Sequence, residues 1–232
     1  MLSILMSGSF KKIEVPDNII NFIKKNAKGD YTICFISADF DDFIGNDKFV
    51  NKLINEFSRK NINFKNISII DNRINNNQMI SKIRNNKIIF LLGGDTLKQI
   101  KSINEFDLKK YINQKEKIIF GLSAGAINMA NKVVLAKDID DNIPQLSIYA
   151  GIGITDINIE PHCDFRNKEH WNNLIEASFV NKIVVMNDDS YIIIDNDDVR
   201  FYGGYCILEN GIIKYKNKEI ELDKFLEEIE YD

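Results

Sequence analysis

Short apolar runs alternate with longer amphipathic stretches along most of this chain. Leu2–Met6, Tyr31–Ser37, Ile67–Ile70, Lys87–Leu92 and Lys117–Phe120 are runs of strand length, dominated by large aliphatic and aromatic residues. Strands that lack a polar face are buried on both sides, as in a parallel sheet covered by helices. Between them, Asn18–Lys25, Asp47–Lys60, Gln78–Arg84 and Leu97–Ile103 carry apolar residues at helical spacing. In Asp47–Lys60 these are Phe49, Val50, Leu53, Ile54 and Phe57. Repeated β-α units of this kind predict an α/β three-layer sandwich: a mostly parallel, doubly wound sheet with helices on both faces.

The last third has a different rhythm. Lys168–Phe179 predicts a helix. Ile183–Met186, Tyr191–Ile194, Val199–Tyr202, Tyr205–Glu209 and Ile212–Lys216 then follow as short strands separated by Asp, Asn and Gly turns. That spacing predicts a run of C-terminal antiparallel strands, a meander that finishes the sheet edge. Leu222–Ile229 predicts a terminal helix. The asparagine clusters Asn75-Asn76-Asn77 and Asn85-Asn86 fall between periodic segments and read as loops or helix ends.

Composition narrows the class. The chain has 232 residues, 44% of them hydrophobic, enough for one sizeable core, and no Pro/Gly/Ser-rich linker divides it. Residues 1–232 are therefore expected to form a single domain. The net charge is −4, from 30 basic and 34 acidic residues, and no basic stripe marks a nucleic-acid partner. Cys34, Cys163 and Cys206 are dispersed and odd in number, which argues against a disulfide framework and fits a reducing cytosol. The opening Met1-Leu2-Ser3-Ile4-Leu5-Met6 lacks a basic region and a long apolar region, so it reads as a strand. No apolar run approaches a membrane span. A cytoplasmic protein is the expectation.

The candidate chemistry centres on Ile118-Ile119-Phe120-Gly121-Leu122-Ser123-Ala124-Gly125-Ala126. An apolar strand runs into Gly-x-Ser-x-Gly, and a stretch that can be helical follows at once. That is the form of a nucleophile elbow, with Ser123 on a sharp turn. A serine nucleophile needs a base, and only two histidines exist. His162, in Glu160-Pro161-His162-Cys163-Asp164, follows a strand-like segment at Asp156–Ile159 and is the preferred base. His170, beside Trp171, is the lesser candidate. A carboxylate should orient the imidazole. Asp138, just beyond the strand-like Val133–Ala136, is the first candidate; Asp140, Asp141, Asp164, Asp188 and Asp189 compete. Gly93-Gly94 ends the strand before the elbow strand, where a backbone N–H, together with that of Ala124, would make a two-donor oxyanion hole. Cys163 points away from its neighbour His162 on an extended segment and reads as packing. A metal site on His162, Asp164 and His170 is disfavoured.

Taken in order, Gly93-Gly94-Asp95-Thr96, the elbow at Gly121–Ala126 and Pro161-His162 resemble the dipeptidase E group, peptidase family S51, which also includes cyanophycinases. The resemblance runs from the first strand to about Ile194. It implies a serine peptidase on a class I glutamine amidotransferase-like (flavodoxin-like) fold, with Ser123 as nucleophile, His162 as base, and the amides of Gly94 and Ala124 as oxyanion donors. In dipeptidase E the acid lies in a short run after the elbow helix, a place matched by Asp138. Other members carry theirs in a later loop, where Asp188 is the alternative. Two departures stand out. Asp95 replaces the usual Asn, where it can repel developing charge or bind a substrate α-amino group. Where dipeptidase E has an arginine suited to N-terminal aspartate, only Arg166 and Lys168 lie nearby.

The expectation is a serine exopeptidase acting on short peptides, some with N-terminal aspartate, without cofactor or metal. Neither nucleic acid nor membrane is an expected partner, and assembly as a homodimer is left open. The rival expectations are a catalytically silent relative that binds an amino acid or peptide, and another small-molecule acyl or amide hydrolase.

Overall fold

The computed structural model describes residues 1–8, 15–138, 143–216 and 218–230. The first half is built of β-α units: β1 (Leu2–Met6), α1 (Asp17–Ala27), β2 (Thr32–Ile36), α2 (Phe43–Arg59), β3 (Asn66–Ile70), α3 (Asn76–Asn85), β4 (Ile88–Leu91), α4 (Thr96–Glu105), α5 (Lys109–Ile112), β5 (Ile118–Leu122) and α6 (Ala124–Asn128). The second half is strand-rich: β6 (Lys132–Leu135), β7 (Ser147–Ala150), β8 (Asn158–Glu160), α7 (Lys168–Ser178), β9 (Ile183–Met186), β10 (Tyr191–Asp195), β11 (Asp198–Tyr202), β12 (Tyr205–Glu209), β13 (Ile212–Tyr215), β14 (Lys218–Ile220) and α8 (Leu222–Glu230).

The main sheet has the order β11-β10-β1-β5-β4-β2-β3. The strands from β1 to β3 in that order are parallel, and β10 and β11 join antiparallel at the β1 edge. Alternate residues of each central strand enter opposite layers. Ile4, Ile33, Phe35, Ile88, Phe90, Ile118 and Phe120 pack with Ile19 and Ile23 of α1 and Val50 and Phe57 of α2. Leu5, Cys34, Ile36, Ile89, Leu91 and Ile119 pack on the other face, with Met79 and Ile83 of α3, Ile100 and Ile103 of α4, and Ile127 of α6. This is the mixed α/β three-layer arrangement that the apolar runs predict.

The asparagine clusters lie at helix ends, as their positions suggest. Asn75 caps α3, accepting from the Gln78 amide while the Gln78 side chain accepts from the Asn75 amide. At the other end, the Lys117 ammonium donates to the carbonyls of Ile83, Arg84 and Asn86. These are carbonyls that a helix terminus leaves without intrahelical donors.

One expectation needs correction. The C-terminal strands do not form one meander along the sheet edge. Only the β10–β11 hairpin extends the main sheet, whereas β12, β13 and β14 pair with β9 and β8 in a separate sheet of order β14-β13-β12-β9-β8. The burial patterns give the reason. Tyr191 to Ile194 are all buried, as an inner strand requires. Tyr205–Glu209 alternates, burying Cys206 and Leu208 beneath α7 and α8 with Trp171, Leu174 and Phe225. The short α5, β7 and β14 carry too few residues to show a period and have no counterpart in the sequence reading. The small-residue sequence Ser7-Gly8-Ser9 after β1 reads as a turn; it is described as far as Gly8, and Ser9 lies outside the described residues.

Phe90 is fully buried, with its ring 5.5 Å from Phe120 in a stacked pair and 5.5 Å from Phe35. Phe90→Ala is expected to lower unfolding free energy by about 3–5 kcal/mol through lost burial and an unfilled cavity. Urea titration followed by circular dichroism measures this.

Candidate active site

β5 ends at Leu122, and the chain turns at Ser123 into α6. Ser123 has φ 49° and ψ −113°, a conformation that L-residues rarely adopt. The flanking glycines are required by close approach. A Cβ on Gly121 would lie 2.5 Å from the Ala126 Cα and the Met129 sulfur, and one on Gly125 would lie 2.3 Å from the Leu91 carbonyl oxygen. Two backbone bonds pin the turn: the Ser123 amide donates to the Met6 carbonyl at 2.8 Å, and the Ile127 amide donates to the Ser123 carbonyl at 2.9 Å. Ser123 therefore stands at the C-terminal end of the central strand, between the ends of β1 and β4. In open α/β sheets ligands bind at these ends.

His162 arrives from β8. Its Nε2 lies 2.8 Å from the Ser123 Oγ, and its Nδ1 lies 2.6 Å from the Asp188 Oδ1. Asp188 follows β9, which runs parallel to β8 with Glu160 opposite Val185. Two adjacent parallel strands thus bring the histidine and the carboxylate to the same level. The His162 backbone is left-handed, with φ 57°. Its amide donates to the Ser7 Oγ at 2.9 Å, and the Ser7 hydroxyl donates to the Met186 carbonyl at 3.4 Å. The Gly8 amide donates to the Asp188 carbonyl at 3.1 Å. Ser7 and Gly8, at the end of β1, so tie together the loops that carry His162 and Asp188. The sequence reading missed both residues. Their only signal is that a small-residue turn closes a strand adjacent to the elbow strand, and that adjacency is a tertiary fact.

Asp138 requires a correction. Its carboxylate lies 3.6 Å from the Nδ1 of His170, not at His162, and the His170 Nε2 lies 3.1 Å from the Glu160 carboxylate. His162 already faces Asp188 on its Nδ1 side. The physical reason is strand pairing: Asp188 follows β9, the strand beside β8, whereas Asp138 follows β6, which pairs with β7. Asp140 and Asp141 lie outside the described residues. Asp164 accepts from the Arg166 amide in its own turn.

A cavity of about 420 Å³ opens over Ser123 and His162, walled by Gly94, Asp95, Thr96, Asp138, Glu160 and Pro161, with Ile127, Leu135 and Ile143 as its apolar part. Asp95 is exposed and caps α4, accepting from the Lys98 amide at 2.9 Å. Gly94, at φ 137°, holds a conformation suited to glycine, and a Cβ there would lie 2.8 Å from the Ala38 Cβ. Beneath it, the buried Asn128 side chain donates to the Thr96 carbonyl and to Gln99, fastening α6 to the Gly93–Thr96 turn. Arg166, expected near the substrate, does not line this cavity: it sits in the turn that precedes α7. Cys163 is buried with Trp171 and Leu174, and burial pushes its thiol well above the ordinary range, so it is packing and not a nucleophile. Among the described residues, only Asp138, Glu160 and His170 bring candidate metal-ligating atoms within 4.8 Å of one another. His162 and Asp164 do not join them.

A Cβ on Gly8 would lie 2.9 Å from the Asp188 carbonyl oxygen, 3.1 Å from its Oδ1 and 3.1 Å from the His162 Cε1. Gly8→Ala should displace His162 and Asp188 while the core stays intact. A displacement of about 1 Å at a reacting centre can cost on the order of 100-fold. The expected outcome is labelling of Ser123 by a fluorophosphonate slowed at least about 10-fold, with a near-native circular dichroism spectrum.

Residues 3–202 match the family model "Peptidase family S51". No curated protein sequence matches the chain at a significant level. Among solved structures, a peptidase from an acI-B1 actinobacterium superposes with TM-score 0.68 at 12% identity, covering 95% of this chain and 93% of that one. A protein described as a peptidase E of Listeria monocytogenes EGD-e superposes with TM-score 0.62 at 16% identity, covering 88% of this chain and 98% of that one. At these identities the superpositions speak for a shared fold.

Proposed function

The chain belongs to peptidase family S51, and from that premise we propose that it is a serine exopeptidase acting on short peptides through Ser123, His162 and Asp188. The observation that carries the reading is the continuous line of contacts from the Ser123 Oγ to His162 and on to Asp188, at 2.8 and 2.6 Å. In this reading Asp188 accepts from the protonated Nδ1 of His162, which leaves Nε2 free to take the serine proton. Ser123 attacks the peptide carbonyl carbon. The oxyanion is held by backbone N–H groups of Gly94, in the turn after β4, and Ala124, in the elbow itself. His162 returns its proton to the leaving amine, an acyl-enzyme remains on Ser123, and water activated by the same imidazole releases it.

Asp95, exposed on the cavity wall beside Gly94, is assigned to the α-ammonium of the substrate. A carboxylate there favours a free N-terminus, which is the basis for choosing an exopeptidase. A preference for N-terminal aspartate has no basic side chain to support it among the described residues that line the cavity. Among the described residues, no helix is long and apolar enough to cross a membrane. The three cysteines are buried and unbridged, which supports the cytoplasmic part of the reading.

The test is mass-spectrometric cleavage of a library of dipeptides and short peptides. Wild type should cleave, and Ser123→Ala should not. Asp188→Asn keeps the shape of the side chain and removes its charge, and it should slow cleavage by on the order of 10²–10⁴. Hydrolysis that survives in Ser123→Ala would falsify the mechanism. Ligand-induced thermal stabilisation without turnover would favour a silent binding protein.

A further inference from the structure

We propose that Asn128 and Gln99 are positioning residues for the oxyanion site: a buried clamp that holds the turn bearing the Gly94 amide against the helix bearing the Ala124 amide. This rests on the serine-peptidase reading and extends it to how the two oxyanion donors are kept in place.

The clamp is a continuous chain of side-chain hydrogen bonds. The Gln99 Nε2 donates to the Leu92 carbonyl at 2.9 Å and to the Ser37 carbonyl at 3.4 Å. The Gln99 Oε1 accepts from the Asn128 Nδ2 at 3.1 Å, and the same Nδ2 donates to the Thr96 carbonyl at 2.9 Å. The Asn128 Oδ1 accepts from the Tyr149 hydroxyl at 2.9 Å. A backbone carbonyl can only accept, so the carbonyls of Leu92 and Thr96 force the orientation of both side-chain amides. The Tyr149 hydroxyl then supplies the donor that the Asn128 oxygen needs. Asn128 and Gln99 are both fully buried. Polar groups are kept in such places when they are bonded, and here each nitrogen and oxygen of the two amides has a partner.

The ends of the chain decide what it holds. Leu92 and Thr96 bracket Gly93-Gly94-Asp95, so this turn is fastened on both sides. A Cβ on Gly93 would lie 3.5 Å from the Ser123 Cβ, which sets the turn directly against Ser123. Ala124 opens α6 and Asn128 closes it, so the Ala124 amide and the clamp ride on one short helix, about one turn apart. Neither the Gly94 nor the Ala124 N–H donates to another group among the described residues. Two unpaired donors on two elements that are tied together form a preorganised pair. A leucine at position 128 would fill the same space without holding the turn. The clamp fastens the β4 side of the elbow, whereas His162 is bound to Ser7 on the β1 side.

The experiment measures how fast a fluorophosphonate labels Ser123. The Ser123 oxygen bonds to phosphorus, fluoride leaves, the serine proton passes to His162, and the phosphonyl oxygen takes the place of the oxyanion, so no substrate need be known. At a temperature where circular dichroism shows the variant folded, Asn128→Leu should slow labelling by about 10–100-fold, somewhat less than outright loss of an oxyanion donor. Gln99→Met should act in the same direction and carries the test if Asn128→Leu does not fold. The double variant should fall no more than about 2–3-fold below Asn128→Leu, because the two side chains act as one unit. Tyr149→Phe keeps both fastenings of the turn and should be slowed less than either. The pH at which labelling is half-maximal should stay where it is in wild type, since His162 stands on the other side of the elbow. For a peptide that wild type cleaves, kcat should fall with KM unchanged, the mark of an interaction used only in the transition state. Labelling of the folded variants at the wild-type rate overturns the proposal. So does a slowing that comes with a displaced pH profile, which would put the defect at His162. If the variants are labelled slowly but no peptide is cleaved even by wild type, the clamp stands and the exopeptidase reading fails. A wild type that is neither labelled nor cleaves any peptide overturns both.

Discussion

The site depends on one strained residue. Ser123 is held at φ 49° and ψ −113°, a conformation that costs about 1–3 kcal/mol for an L-residue. It persists because its surroundings leave no alternative. The Ser123 amide is committed to the Met6 carbonyl and the Ser123 carbonyl to the Ile127 amide, and strand and helix meet at Gly121 and Gly125 with no room for a Cβ. The strain is thereby offset by the packing of β5, β4, β1 and α6. The consequence is chemical: the hydroxyl stands clear of the sheet, within reach of an imidazole.

A second constraint lies in how β8 and β9 pair. A histidine and an aspartate separated by a helix and a strand in sequence stand together because their strands are parallel neighbours. The left-handed backbone of His162 turns its ring back toward Ser123. The end of β1 contributes the ties, through the Ser7 hydroxyl and the Gly8 amide. The main sheet supplies Ser123, the strands β8 and β9 of the second sheet lead to His162 and Asp188, and the Ser7-Gly8 turn joins them.

The end of β8 lines the cavity with two ionisable side chains. Glu160 and His162 flank Pro161 at the end of β8, one on the cavity wall and one beside Ser123. Asp138, which the family resemblance places next to His162, stands instead beside the other histidine of the chain. The two histidines thus occupy separate carboxylate environments, His162 with Asp188 beside Ser123 and His170 with Asp138 and Glu160.

Much of this was legible in the sequence, because the signals are local. The apolar runs of the first half, with the helical spacing between them, determine a layered parallel sheet: a strand without a polar face must be covered on both sides. Gly121-Leu122-Ser123-Ala124-Gly125 determines a tight turn at a strand end, since its glycines are the residues that tolerate such contact. With two histidines in the chain, the partner of Ser123 was a short choice. Tertiary structure alone decided which carboxylate faces His162, because Asp138 and Asp188 differ in nothing local; only the pairing of β8 with β9 separates them. It also decided that the C-terminal strands divide between two sheets, and that Ser7 and Gly8 belong to the site. Each of these follows from contacts between segments distant in the chain, and the spacing of residues along a sequence holds no record of which distant segments will lie side by side.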